Sequence, residues 1–194
     1  MKTLIYLHGF NSSAQSIKAL NTRQYFQEHS VDFNLSIPNL PSSPLEVVDA
    51  VTCLIREIGA SQVAGFIGSS LGGYLSLYFQ QSTVFESIPK IVLINPAVRP
   101  YELLVDYIGE NQNPYTGERY TVESHHMNEL KSLSVPSIAT PDNTLLLTQT
   151  GDEVLGFQQA VSALPKAKAW VTAGGDHAYS GYLSALPAIA NFFQ

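Results

Sequence analysis

Gly68-Ser69-Ser70-Leu71-Gly72 constrains the chain more than any other stretch. A G-x-S-x-G pentapeptide has mechanical meaning where a strand runs into a helix, and both flanks fit that context. Gln62-Val63-Ala64-Gly65-Phe66-Ile67 is short and largely apolar, as a buried strand is, and Tyr74-Leu75-Ser76-Leu77-Tyr78-Phe79 suits a helix. A serine at such a junction sits on a sharp, strained turn that lifts its hydroxyl out of the sheet. Flanking glycines leave room for the turn, because side chains there would collide with neighbouring elements. The helix that follows points its amide-rich N-terminus at the serine, where an anion can be held.

Strands alternate with helices, which predicts an α/β fold with a mostly parallel sheet covered on both faces. The six strands fall at 3–7, 33–37, 62–67, 90–94, 144–149 and 167–172. Helices are expected at about 16–29, 44–58 and 179–193. In the second of these, Ser43 and Glu46 form a capping-box pattern, Pro44 takes the first helical position and Gly59 closes the helix. Val47, Val51, Leu54 and Ile58 give its apolar face, with Cys53 read as a buried small hydrophobe. Pro187 inside the last pattern predicts a kink or a break.

Residues with chemistry gather just past strand ends, the edge at which open parallel sheets bind ligands. His8-Gly9-Phe10 follows the first strand, Ser70 the third, Thr150-Gly151-Asp152-Glu153 the fifth and Gly174-Gly175-Asp176-His177 the sixth. A serine, then an acid, then a histidine is the chain order of a nucleophile-elbow hydrolase.

Taken together, Tyr6-Leu7-His8-Gly9-Phe10-Asn11-Ser12-Ser13, Gly68-Ser69-Ser70-Leu71-Gly72-Gly73, Thr150-Gly151-Asp152-Glu153 and Gly174-Gly175-Asp176-His177 resemble the α/β-hydrolase superfamily over nearly the whole chain. More narrowly, the chain resembles the small bacterial YqiA/YcfP-type esterases. That resemblance implies Ser70 as nucleophile, His177 as base and Asp152 as acid, with no cofactor. It implies the spatial strand order 2-1-3-4-5-6. The superfamily's first two strands are expected to be missing, since the chain opens directly on the strand before His8-Gly9. The backbone N–H groups of Leu71 and Phe10 are then the expected oxyanion donors.

Each role has a rival. Glu153 adjoins Asp152 but is expected one residue further into the following helix. Asp176 adjoins His177, and adjacent side chains diverge, so it is expected to anchor the histidine loop. His125 and His126 precede Asp152, break the order, and are expected to be exposed. His8 is expected to hold its own loop by hydrogen bonds. No His/Cys/Asp grouping has metal-ligand spacing, and there is no phosphate-loop or dinucleotide fingerprint.

At 194 residues the chain is read as one domain, 1–194, with 45% hydrophobic and 13% charged residues. A formal charge of −6, with ten basic residues in no run, argues against a nucleic-acid surface. No apolar stretch approaches the ~20 residues of a membrane span. The single cysteine and the absence of a leader pattern lead to the expectation of a cytoplasmic protein. Residues 97–141 carry no evident strand and are too long for a plain connection, so they read as a small helical cap. Phe10, Leu103, Leu104 and Tyr107 are the candidates to line a pocket beneath it. The resulting expectation is a serine esterase, with acyl thioesters as a second substrate class. A hydrolase of amide or carbon–carbon bonds and a non-enzymatic binding module of the same fold are the alternatives. Oligomeric state is left open.

Overall fold

In the computed structural model of the protein, residues 1–29, 31–137 and 140–194 are described. In chain order the elements are β1 (Thr3–Leu7), α1 (Ile17–Glu28), β2 (Asn34–Ser36), α2 (Pro44–Ile58), β3 (Val63–Ser69), α3 (Leu71–Gln80), β4 (Lys90–Ile94), α4 (Pro100–Leu103), β5 (Gly109–Gln112), β6 (Arg119–Val122), α5 (Ser124–Ser132), β7 (Thr144–Gln149), α6 (Phe157–Ala163), β8 (Lys168–Thr172) and α7 (Tyr182–Phe193). Short 3₁₀ turns join several of them. Six strands pair in parallel in the order β2-β1-β3-β4-β7-β8, which is the expected 2-1-3-4-5-6 in the count of sheet strands.

Two apolar layers hold this sheet, and strand alternation sorts residues between them. Ile5 and Leu7 face one way with Phe66, Ile91, Leu93 and Leu146, against Val47, Val51 and Ile55 of α2 and Leu75 and Phe79 of α3. Leu4 and Tyr6 face the other way with Ile67, Val92, Ile94 and Leu147, against Phe26 of α1 and Leu186, Ile189 and Phe193 of α7. Full burial of each such side chain is worth about 1.5–3 kcal/mol against exposure. The central strands are apolar on both faces, which is why Lys90–Ile94 and Thr144–Gln149 read as near-continuous hydrophobic runs.

Several local expectations change. The segment 97–141 holds a two-stranded antiparallel hairpin, β5–β6, beside the short α4 and the nine-residue α5, so it is not all helical. Gly109-Glu110-Asn111-Gln112 lacks the alternation by which a strand is recognised, and the hairpin is held by its own ladder and by contacts to the β1 loop. Ile138 and Ala139 of this segment lie outside the described residues. Helix α2 has the expected limits, but Ser43 makes no side-chain cap bond, so the capping box is not formed. Cys53 is exposed: it lies two residues from both Val51 and Ile55, which turn inward, and so falls on the outer face. Helix α7 starts at Tyr182 and runs unbroken through Pro187. The hydrogen bond that Pro187 cannot donate belongs to the carbonyl of Leu183, an exposed residue where water can replace it.

Crowding at Gly72 gives a stability prediction. A Cβ at Gly72 would lie 1.9 Å from the Leu7 carbonyl oxygen, so Gly72→Ala forces α3 away from β1. A loss of about 3 kcal/mol or more is expected in urea denaturation. Gly156 has φ −56° and meets nothing closer than 3.5 Å, so Gly156→Ala is expected to be neutral or to stabilise by about 0.4–1 kcal/mol.

Candidate active site

Ser70 sits between β3 and α3 with φ 54° and ψ −119°, a conformation that costs a non-glycine residue about 1–3 kcal/mol. Its neighbours enforce it. A Cβ at Gly68 would lie 2.3 Å from the Gly72 carbonyl oxygen, so only glycines let the chain double back this tightly. The backbone of Ser70 is pinned to the next strand, its N–H donating to Ile94 O at 3.0 Å and its carbonyl accepting from Ala97 N at 3.1 Å.

From this turn the Ser70 hydroxyl meets His177 Nε2 at 3.1 Å. His177 Nδ1 lies 3.0 and 2.9 Å from the two carboxylate oxygens of Asp152. Because that carboxylate accepts, Nδ1 carries the proton and Nε2 presents its lone pair to the serine. The Asp152 side chain is 1% exposed and the His177 side chain 23%. Burial pushes the Asp152 carboxyl upward in pKa. The His177 hydrogen bond and the N–H groups of Leu155 (2.8 Å) and Val154 (3.0 Å) outweigh it, leaving the group below its ordinary value and ionised.

The rivals have other partners. Glu153 Oε2 accepts the His177 N–H at 3.0 Å, so it grips the backbone of the histidine and not its ring. It precedes α6 by a loop, since that helix begins at Phe157. Asp176 accepts from the Ser180 N–H and hydroxyl and thereby ties the histidine loop. His126 is buried, contrary to expectation, because its Nδ1 accepts the Glu123 N–H and caps α5, while His125 is exposed as expected. His125, His126 and Glu129 form a compact group of potential metal ligands. They fit a metal poorly: with Nδ1 of His126 accepting, Nε2 carries its proton, and His125 spans Glu123 and Glu129 at 3.2 and 3.5 Å.

The β1 loop supplies the facing wall. Gly9 packs against Ser70, where a Cβ would come within 3.0 Å of the Ser70 Cβ. His8 Nδ1 donates to Gly9 O at 3.0 Å. Burial lowers the His8 pKa more than this hydrogen bond raises it, so the ring stays neutral. Gly9 C=O and Phe10 N–H belong to one planar trans peptide and point in opposite directions, so gripping the carbonyl fixes the aim of the amide. Among the described residues, neither Phe10 N–H nor Leu71 N–H donates to another protein group. The hairpin steadies the same loop: Asn113 Nδ2 donates to Ser12 O at 2.9 Å, and the Tyr120 hydroxyl donates to Asn11 Oδ1. Phe10 stacks edge-on with Tyr107 at 5.1 Å and with Tyr120 at 6.0 Å.

Two cavities flank this loop. The larger, about 620 Å³, is lined by Ser70, His177, Lys18, Tyr115 and Leu183. The smaller, about 80 Å³, is lined by Leu40, Val47, Leu71, Leu75 and Tyr120. Phe10 borders both, but Leu103, Leu104 and Tyr107 border neither. Leu104 instead turns into the core beside Leu130 and Leu133, because α4 is a single turn lying against α5. Tyr107 meets the site by packing on Phe10.

Sequence reasoning missed the residues that hold the histidine loop. Buried Asn95 donates to Asp176 O (2.9 Å) and His177 O (3.2 Å) while accepting from Gln149 N (3.0 Å). Buried Gln149 accepts from Asp176 N (3.1 Å) and donates to Ser180 O (2.8 Å). Lys18 donates to Ala178 O at 3.0 Å. Its burial lowers its pKa, while Asp176 and Asp152 pull the other way. The available signal was an amide residue closing an apolar strand at the edge where Ser70 lies.

Comparison with known proteins places this arrangement in a family. A family model described as uncharacterised protein family UPF0227 matches residues 3–194. Among solved structures, the chain is similar to alpha/beta hydrolase domain-containing protein 10 from mouse, at 17% identity and TM-score 0.71, covering 97% of this chain and 88% of that one. It is similar to Est1E from Butyrivibrio proteoclasticus at 14% identity and TM-score 0.72, covering 98% and 86%. The monoacylglycerol lipase of Paleococcus ferrophilus gives 13% identity and TM-score 0.68, covering 100% and 96%. At such identities the likeness is one of fold. With its match running from Thr3 to Gln194, the chain belongs to the UPF0227 family, to which its YqiA-type motifs point, and it is folded as an α/β-hydrolase.

Proposed function

We propose that the protein is a serine hydrolase of carboxylic esters, with acyl thioesters as a second substrate class, acting through an acyl-enzyme. The single observation that carries the reading is the unbroken line of hydrogen bonds from Ser70 Oγ through His177 to Asp152. The amides of Phe10 and Leu71, which flank Gly9 and Ser70 in the chain and donate to no protein group among the described residues, support it. So do the fold relatives, which include Est1E and a monoacylglycerol lipase.

In this mechanism His177 Nε2 takes the Ser70 proton as Oγ attacks the carbonyl carbon. The developing oxyanion is held by the Phe10 and Leu71 N–H groups, each such donor being worth about 10²–10³ in rate. The C–O or C–S bond to the leaving group breaks as His177 returns the proton to it. Water then attacks the acyl-enzyme with His177 again as base, and the acid product leaves. Asp152 keeps the imidazole tautomer and stabilises the imidazolium. Amides are poorer substrates, because the amine departs less readily.

Covalent labelling tests the nucleophile. A fluorophosphonate probe is expected to label the wild type and not Ser70→Ala, which keeps its fold but loses turnover by several orders of magnitude. A wild type that takes no label would favour the binding-module alternative, and ester hydrolysis undiminished in Ser70→Ala would remove the mechanism. The acid is tested by comparing kcat for two variants. Asp152→Asn is expected to lose on the order of 10⁴-fold, and Asp176→Asn much less, since the Asp176 carboxylate accepts from Ser180 while the His177 ring is held by Asp152. A larger loss at position 176 would reverse the assignment. In a pH series, kcat/KM should rise as the imidazole loses its proton and then level off. Asp152, held below its ordinary value, adds no second limb above pH ~4. A profile flat down to pH ~5 argues against a histidine base.

A further inference from the structure

We infer that the free edge of β8 pairs with β8 of a second copy of this chain, antiparallel and about a two-fold axis at Trp170. For a strand of a parallel sheet, β8 is unusually bare. Such strands are covered on both faces, yet Lys168, Ala169, Trp170 and Val171 are all exposed. Successive side chains point to opposite faces, so Trp170 and Val171, each 43% exposed, leave both faces uncovered. The two edges of the sheet differ. β2 is only three residues long, and a short edge gives another strand little to pair with. β8 runs for five residues in unbroken register with β7, with no proline, no bulge and Lys168 as its one charge. An edge of that kind is a template for a further strand, and proteins blunt it or cover it. Among the described residues β7 is its only neighbour in the sheet.

The outward groups of β8 match a second β8. Thr150 N–H donates to Thr172 O at 2.9 Å, so the backbone polar groups of Thr172 face β7. By the alternation of a strand, those of Trp170 and Lys168 face β7 as well, and those of Ala169 and Val171 point outward. In an antiparallel pairing centred on Trp170, Ala169 of each copy stands opposite Val171 of the other, and such a pair exchanges both N–H···O bonds. Every outward N–H and C=O from Ala169 to Val171 then has a partner. The two Trp170 residues meet at the non-hydrogen-bonded position, where side chains approach most closely. Charge selects the same arrangement. Lys168 falls opposite neutral Thr172, whereas a parallel in-register pairing would set Lys168 against Lys168. Exposed Lys166 and Lys168 lie at the start of β8, and Glu153 and Asp176 lie beyond its end, where they hold the backbone of His177 and of Ser180. Antiparallel pairing brings the basic end of each strand beside the acidic end of the other. A contact of this isologous kind closes at two copies and leaves neither β8 edge open.

Sedimentation velocity tests for the dimer. The wild type is expected to pass from monomer toward dimer as its concentration rises from about 2 to about 200 µM. Trp170 is the chain's one tryptophan, so its emission should move to the blue over the same range. Val171→Pro removes an outward N–H and spares the bonds to β7, because proline is accepted on an edge strand where its nitrogen faces solvent. This variant should keep the wild-type far-UV circular dichroism and stay monomeric throughout. Disulfide trapping reads the register, in a Cys53→Ser background that removes the native thiol. Under oxidation Trp170→Cys should give a covalent dimer, since Cα atoms at the non-hydrogen-bonded position lie about 4.5 Å apart. Ala169→Cys should not, since its two copies lie on a diagonal about 7–8 Å apart. Should Val171→Pro fail to fold, the two cysteine variants decide between them. A wild type that is monomeric at every concentration would overturn the inference. So would a dimer that survives in folded Val171→Pro, an absent crosslink at position 170, or one that forms as readily at 169.

Discussion

The close approach of α3 to β1 is the contact on which the rest of the site depends. Gly72 lies so near the Leu7 carbonyl that no side chain fits between them. This lets the helix begin directly over the end of the strand. Strands β1 and β3 are parallel neighbours with Leu7 opposite Gly68, so both chains leave the sheet at the same edge. The Ser70 turn and the Gly9–Phe10 loop emerge side by side as a consequence of register. Strain at Ser70 is tolerated because Ile94 and Ala97 fix the turn on one flank and Gly9 on the other.

A buried polar network completes the arrangement from the far side of the sheet. Asp152 is a carboxylate with almost no solvent, a situation that costs several kcal/mol unless its oxygens are occupied. Two backbone amides and the His177 ring occupy them. The histidine must itself be held in place, because its loop contains two glycines at positive φ and has little rigidity of its own. Asn95 and Gln149 supply that rigidity by bonding the loop backbone at Asp176, His177 and Ser180. Both amides are buried and close their strands, so they join the loop to the stiffest part of the fold.

The segment between β4 and β7 contributes through the loop it braces. Tyr120 bonds the Asn11 side chain and Asn113 the Ser12 backbone carbonyl, just after Phe10, and Tyr107 and Tyr120 pack its ring. The hairpin thus forms one wall of the smaller cavity, and the tip residue Tyr115 reaches the larger one. Among the described residues, no helix is long and apolar enough to cross a membrane.

The sequence by itself determined the strands of the sheet and the strand-end positions of Ser70, Asp152 and His177, while the order of the strands came from the resemblance to a superfamily. The strands depend on local pattern: apolar runs mark buried strands, and glycines at 68 and 72 mark a backbone crossing. Placing Ser70, Asp152 and His177 at strand ends then brings them to one edge of any parallel sheet. Tertiary structure alone decided what surrounds them. In the β5–β6 hairpin, Gly109–Gln112 has no apolar residue to betray it and only Tyr120 and Val122 of β6 alternate, over too few residues to mark a strand. Leu104 and Tyr107 carry the same apolar signal, yet one fills the core and the other packs on Phe10, a choice made by the path of α4. Asn95 and Gln149 look like ordinary polar residues until the loop they hold is in place. Cavity shape follows the same logic, because it is the space left between segments distant in the chain.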